Sequence, residues 1–314
     1  MQLKRYWCYA AAINKEKMTD KNIECWYVLG NGIEIESQEI EIRPNLRIKR
    51  INSEMSIFDL AAIGAKGFRE WTLLERLSSF YSFEIESIDD GINSGYDVLN
   101  RAWLLNTLLV LKMKLRANCV ACSSYSWNEV AGFQKRSLGN DMTLAPFKGH
   151  LLDFHTSIIQ LPNLENFKIN QSDIEWIKKY YETTNSLASK NSNFKFAIET
   201  INSWRYSKDL KSSITIIWAA IESIIGVSSE IVFRLSLNIS SILEIRGEAR
   251  LRRFNQIKKL YGLRSKVVHG SELKNIQIIA AIEESFILLC DLVIYMIENN
   301  KIITNKDFEN AIFY

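Results

Sequence analysis

The clearest chemical potential lies in the run LYGLRSKVVHG, where His269 follows Arg264 with four residues between them. An imidazole takes or gives a proton near neutral pH. A guanidinium is a permanent cation whose planar fork of donors fits phosphate or carboxylate oxygens. The pair therefore suits a reaction in which a proton moves beside an anionic oxygen, although the spacing alone is common. At 100° per residue, Ile257, Tyr261, Arg264 and Val268 share a stripe about 60° wide. A cation thus interrupts an apolar face, and it needs either an acidic partner or a polar cleft. The best local partner is Glu222, the only acid in ITIIWAAIESIIG. It stands at the edge of an arc made by Ile214, Ile217, Trp218, Ile221, Ile224 and Ile225. On helix geometry alone, a structural Arg–Glu bridge explains the pair as well as a site does. His269 precedes Gly270, a residue type that ends helices. Its ring is expected at a helix end beside the loop Gly270–Leu273, where a plain capping role would serve equally.

Other chemistry-bearing residues read as structural. Cys119 and Cys122 form a Cys-x2-Cys pair, but zinc needs two further ligands at suitable spacing. Cys8, Cys25 and Cys290 are remote and isolated, so packing is the expected role. His150 and His155 flank Asp153. Their five-residue offset puts the rings on different sides of a helix and on opposite faces of a strand, which does not suit joint metal binding. No metal and no cofactor is expected.

These residues sit in a chain of 314 residues, 47% hydrophobic and 24% charged, enough for two globular domains. The net charge of +3 excludes a general polycation. From Arg246 to Lys274, however, nine basic residues stand against two acids, a local net charge of +7. Such a stripe fits a phosphate-bearing partner or a solvated helix face. The N-terminal MQLKRYWCYAAAINKEK reads as a strand and not as a secretory signal. Ala102–Leu115, interrupted by Asn106, Lys112 and Lys114, is too short to cross a bilayer and reads as a core helix. Five scattered cysteines point to a reducing, cytoplasmic setting.

The first half reads as mixed α/β. Strands are expected at Tyr6–Ile13, Cys25–Leu29 and Leu46–Ile51, with Asn31-Gly32 favouring a tight hairpin turn after the second. In IEIESQEIEI, Ile33 and Ile35 have opposite parity to Ile40 and Ile42, which requires a bulge or turn near Ser37-Gln38. The intervening glutamates are a solvated sheet face. Helices are expected at Ile57–Phe80 and Tyr96–Leu115, and strands at Cys119–Trp127 and Phe154–Leu161. Beyond Leu161 the pattern is helical: Ser172–Thr184, Phe194–Tyr206, Ser212–Gly226, Glu230–Leu243, Ala249–His269 and Lys274–Asn299. The fold class is α+β, with a mixed α/β domain over 1–164 and an all-α bundle over 165–314.

The run LYGLRSKVVHG, preceded by IIWAAIESIIG and FRLSLNISSIL, resembles the HEPN superfamily, specifically its Apea-like branch. There an aromatic-containing helix leads into Arg-Ser-x-x-x-His-Gly, and an upstream helix carries an aliphatic-Glu pair, here Ile221-Glu222. SDIEWIKKYYE resembles the branch's opening helix. The resemblance spans about residues 165–300. It implies a helical bundle that dimerises and cleaves RNA without metal at a cleft between protomers. Arg264 and His269 would be catalytic, with Glu222 as an orienting acid. Ser265, Lys266, Tyr261 and Arg253 would be candidate RNA contacts. It also implies a host-defence or toxin setting, in which an activator or inhibitor would act and residues 1–164 could sense it. The alternative is a catalytically silent HEPN module that binds nucleotide or protein at the same cleft.

Overall fold

The computed structural model describes residues 24–53, 56, 59, 81–92, 96–114, 117–132, 151–154, 167–227, 229–270 and 273–314. The expected strand at Tyr6–Ile13, His150, His155, nearly all of the Ile57–Phe80 helix and the strand beyond Phe154 lie outside them. Two compact units are present. The first draws on described residues within Met1–Leu109, Arg116–Thr156 and Leu161–Lys178, and the second on those within Val110–Leu115, Ser157–Gln160 and Lys179–Tyr314.

The first unit holds strands β1 (Cys25–Asn31), β2 (Ile33–Glu34), β3 (Glu39–Arg43), β4 (Leu46–Arg50), β5 (Tyr81–Ile88), β6 (Asn118–Ser123), β7 (Leu151–Phe154) and β8 (Phe167–Lys168). Six of them form an antiparallel sheet in the order β3-β4-β5-β1-β6-β7, and β2 pairs in parallel with β8. The turn between β3 and β4 is Pro44-Asn45, with Asn45 at φ 61°, as a type II turn demands at its third position. Val28, Leu46, Ile48, Phe83 and Ile85 are buried. Helix α1 (Tyr96–Met113) joins the sheet through Ser87 Oγ, which donates to the Val98 carbonyl at 2.7 Å.

The Asn31-Gly32 hairpin does not form. Both edges of β1 are taken, by β5 and β6, so Gly32 (φ 86°) instead turns the chain towards β8. The parity change in IEIESQEIEI does occur, at a bend over residues 36–38, and Ile33, Ile35 and Ile42 are all buried. The strand expected to reach Trp127 stops at Ser123. Ser126 Oγ accepts from Asn128 N at 3.2 Å and opens the short helix α2 (Trp127–Val130). Glu84, buried on β5, accepts from Trp127 N at 2.6 Å and from Ser126 Oγ at 2.7 Å. Burial pushes the Glu84 carboxyl above its usual pKa, and those hydrogen bonds pull against the shift. Strand β5 itself went unforeseen. Cys119 and Cys122 are buried thiols on β6, and burial raises the pKa of Cys119.

The helices that follow are α3 (Gln171–Lys190), α4 (Ser192–Ser203), α5 (Leu210–Ile225), α6 (Ile231–Leu243), α7 (Glu248–Val268), α8 (Asn275–Glu298) and α9 (Asn305–Phe313). The division between units runs through α3, between Lys178 and Lys179. Helix α5 is the hub, packed by α4, α6, α7 and α8. It starts at Asp209, which accepts from Ser212 N at 2.7 Å, and ends at Gly226, whose φ of 68° suits a left-handed cap. Ile214, Ile217, Trp218 and Ile221 are fully buried around it, each contributing roughly 1.5–3 kcal/mol of burial free energy. Among the described residues, no helix is long and apolar enough to cross a membrane.

Candidate functional site

The periodicity of α5 turns its isoleucines and Trp218 inward and leaves Glu222, one turn beyond Trp218, at the margin of the buried arc. The periodicity of α7 turns Ile257, Leu260 and Tyr261 inward. Where these two helices pack, Arg264 Nη2 lies 3.4 Å from Glu222 Oε1, with 19% and 29% of the two side chains exposed. The Arg264 guanidinium also stands 5.3 Å from the centroid of the Tyr261 ring, within cation–π range. Tyr261 meets Trp218 edge-on at 5.1 Å. Trp218 Nε1 donates to Ser285 Oγ at 3.0 Å, and Ser285 Oγ in turn donates to the Ala281 carbonyl. The arginine is therefore held from the core outward by an aromatic and hydroxyl stack. Trp218 and Ser285 were not foreseen as part of it. Trp218 carried a signal, lying four residues before Glu222 on one helical face.

The pair is a charge contact and not a well-aligned hydrogen bond. Among the described residues, Glu222 Oε1 and Arg264 Nε are buried without a hydrogen-bond partner. A guanidinium offers five N–H donors, so Arg264 retains capacity for an anionic oxygen. Burial raises the pKa of Tyr261. The neighbouring Glu222 carboxylate adds to the rise, and the Arg264 cation opposes it.

His269 occupies the cap position of α7. Its backbone N–H donates to the Ser265 carbonyl at 3.0 Å, and Gly270 follows at φ 81°. Its side chain is exposed. It lies five positions after Arg264, which sets the two about 140° apart around α7 and about 7.5 Å apart along it. Arg264, Glu222 and Tyr261 are thus brought together, and His269 stands at the open helix end.

The remaining candidates are dispersed. Ser265 is half-buried and Lys266 is exposed in the last turn of α7. Arg253 lies three turns before Arg264, and its Nη2 donates to Asp291 at 2.6 Å while its Nε is 3.6 Å from Glu244. Lys114 meets the other oxygen of Asp291 at 2.8 Å. Arg253 is therefore a strut between α7 and α8. Tyr261 is mostly buried, with its ring against Arg264 and Trp218. Among the described residues, no group of three or more His, Cys, Asp or Glu side chains could hold a metal ion.

Comparison of the chain with protein-family models, with curated proteins and with solved structures finds no match.

Proposed function

We propose that the chain is a metal-independent endoribonuclease of the HEPN type that works as a homodimer on RNA. The observation that carries this reading is the Arg264–Glu222 contact. Arg264 of the Arg-Ser-x-x-x-His-Gly run and Glu222 of the aliphatic-Glu pair come from separate helices and meet at one helix–helix seam. In this reaction the substrate's 2′-hydroxyl attacks the adjacent phosphorus while His269 accepts its proton. The 5′-oxygen of the next nucleotide leaves and takes up a proton. Arg264 binds the non-bridging oxygens and offsets the charge that builds on them. Glu222 and Tyr261 fix the guanidinium, so little reorganisation is needed as that charge develops. The products are a 2′,3′-cyclic phosphate and a 5′-hydroxyl.

Because Arg264 and His269 diverge by about 140° on one helix, a second copy is invoked to bring an arginine and a histidine to one phosphate. The same divergence favours a second reading, in which the cleft binds nucleotide or protein and does not cut. Incubating purified protein with total RNA in EDTA and mapping the ends separates the two. Discrete fragments ending in cyclic phosphate support the nuclease, and intact RNA supports the silent module.

A further inference from the structure

We propose that the outward face of α7 is a track for the phosphates of single-stranded RNA, built on Lys258, Lys259 and Lys266 around a bare backbone patch at Gly262 and ending at His269. The proposal deepens the ribonuclease reading and rests on it for the identity of the partner.

The basic residues of this segment divide into two chemically different sets. The inward set is arginine and is committed within the bundle. Arg250 donates to the Glu244 carbonyl at 3.0 and 3.1 Å and to the Ala311 carbonyl at 3.0 Å, capping the ends of α6 and α9. Arg253 holds Asp291, and Arg264 holds Glu222. The outward set is lysine apart from Arg252, which is paired with Glu248. Lys258, Lys259 and Lys266 are exposed, and none of them makes an ion pair among the described residues. No acid interrupts the sequence between Glu248 and Glu272. The uncompensated charge of the segment is therefore concentrated on one face, and it is carried by the side chain that serves as a point charge for phosphate.

Helical geometry makes that face continuous. Taking Arg252 as origin, Lys258, Gly262, Lys266 and Lys259 fall at about 240°, 280°, 320° and 340°, with His269 at about 260°. Arg264, at about 120°, points away towards α5. Lys259 and Lys266 are seven residues apart, about 10.5 Å along the axis, a separation that phosphates of an extended strand can match. At the far end Arg252 adds a cation, shared with Glu248 at 3.2 Å.

Gly262 is the second, independent observation. A glycine inside a helix is destabilising relative to alanine. Here no packing explains it, since a Cβ built at Gly262 would meet nothing within 4 Å. It lies between Lys258 and Lys266 on the same face. A bare backbone there lets a sugar–phosphate chain approach the helix closely.

The test uses a fluorescent 2′-O-methyl RNA oligonucleotide, which keeps the phosphates and lacks the attacking hydroxyl. Its affinity for the full chain is measured over a range of salt. For the Lys258→Gln/Lys259→Gln/Lys266→Gln variant, the slope of log affinity against log salt should become shallower by about 2, at about 0.7 per phosphate contact on a single strand. Gly262→Gln should raise the melting temperature and yet weaken binding several-fold, which a purely structural role for Gly262 does not produce. An unchanged slope in the triple variant, unchanged affinity in Gly262→Gln, or no binding by the wild type each overturns the track. Cleavage of ordinary RNA by the wild type is scored separately. Cutting with an unchanged slope removes the track and leaves the nuclease, while binding with the expected slopes and no cutting keeps the track and removes the nuclease.

Discussion

Replacing Glu222 with Gln tests whether the Arg264 contact is an energetic link or a mere neighbour. The charged atoms lie 3.4 Å apart. Coulomb's law at that distance gives about 1.2 kcal/mol at the dielectric of water and about 5 kcal/mol at an effective value of 20. Neither limit applies unmodified, because the side chains keep 19% and 29% of their exposure. Fully exposed pairs contribute about 0.2–1 kcal/mol, and breaking a buried pair costs about 3–5 kcal/mol. A coupling of about 1–2.5 kcal/mol lies between these cases. It is read from a double-mutant cycle of Glu222→Gln, Arg264→Gln and the double variant, by urea unfolding followed through tryptophan fluorescence. Trp218, one ring away from Arg264 through Tyr261, is one of the eight tryptophans that report the transition. Additivity within about 0.3 kcal/mol, as for independent sites, would refute the reasoning.

Tyr261→Phe should alter the response to alkali. Because the folded pKa of Tyr261 is raised, chiefly by burial and then by Glu222, the folded state holds its proton longer than the unfolded state does. Its stabilising contribution is complete below the ordinary value of about 10 and is lost as pH rises from there towards the folded pKa. The stability difference between wild type and Tyr261→Phe should fall across that window by at most about 1.4 kcal/mol per pH unit, and a flat difference would contradict the assignment. Arg250→Ala removes the donors that cap α6 and α9, so urea unfolding should show a loss of about 1–3 kcal/mol. Gly30→Ala places a Cβ 2.2 Å from the buried ring of Phe83, and calorimetry should show the first unit destabilised by about 1–3 kcal/mol.

The helical half was legible because its apolar residues recur at helical spacing, which fixes both element type and inward face. That periodicity alone placed an arginine on a packed stripe and pointed to Glu222. It could not tell that Arg253, on nearly the same face three turns away, meets Asp291 and is consumed there, because contacts between helices depend on which helices become neighbours. Strand β5 was missed for a related reason. In YSFEIESI both faces are buried, and the buried glutamates belong to pairings across distant strands, Glu84 with α2 and Glu86 with Lys49. Read locally, they look like solvated residues. The Asn31-Gly32 hairpin failed for the complementary reason. A favourable turn sequence was overruled when β5 and β6 occupied both edges of β1. Helix α9 was not foreseen because it is short and polar, with only Phe308 buried.

The most direct measurement of the central claim compares wild type with His269→Ala on total RNA in EDTA, with the termini of the products mapped. His269 is exposed at a helix end, so the variant should fold and assemble like the wild type. The wild type should give fragments ending in 2′,3′-cyclic phosphate, His269→Ala should give none, and a DNA strand should survive both because it lacks the 2′-hydroxyl. Undiminished cleavage by His269→Ala, cleavage of DNA, or RNA left whole by the wild type would contradict the account.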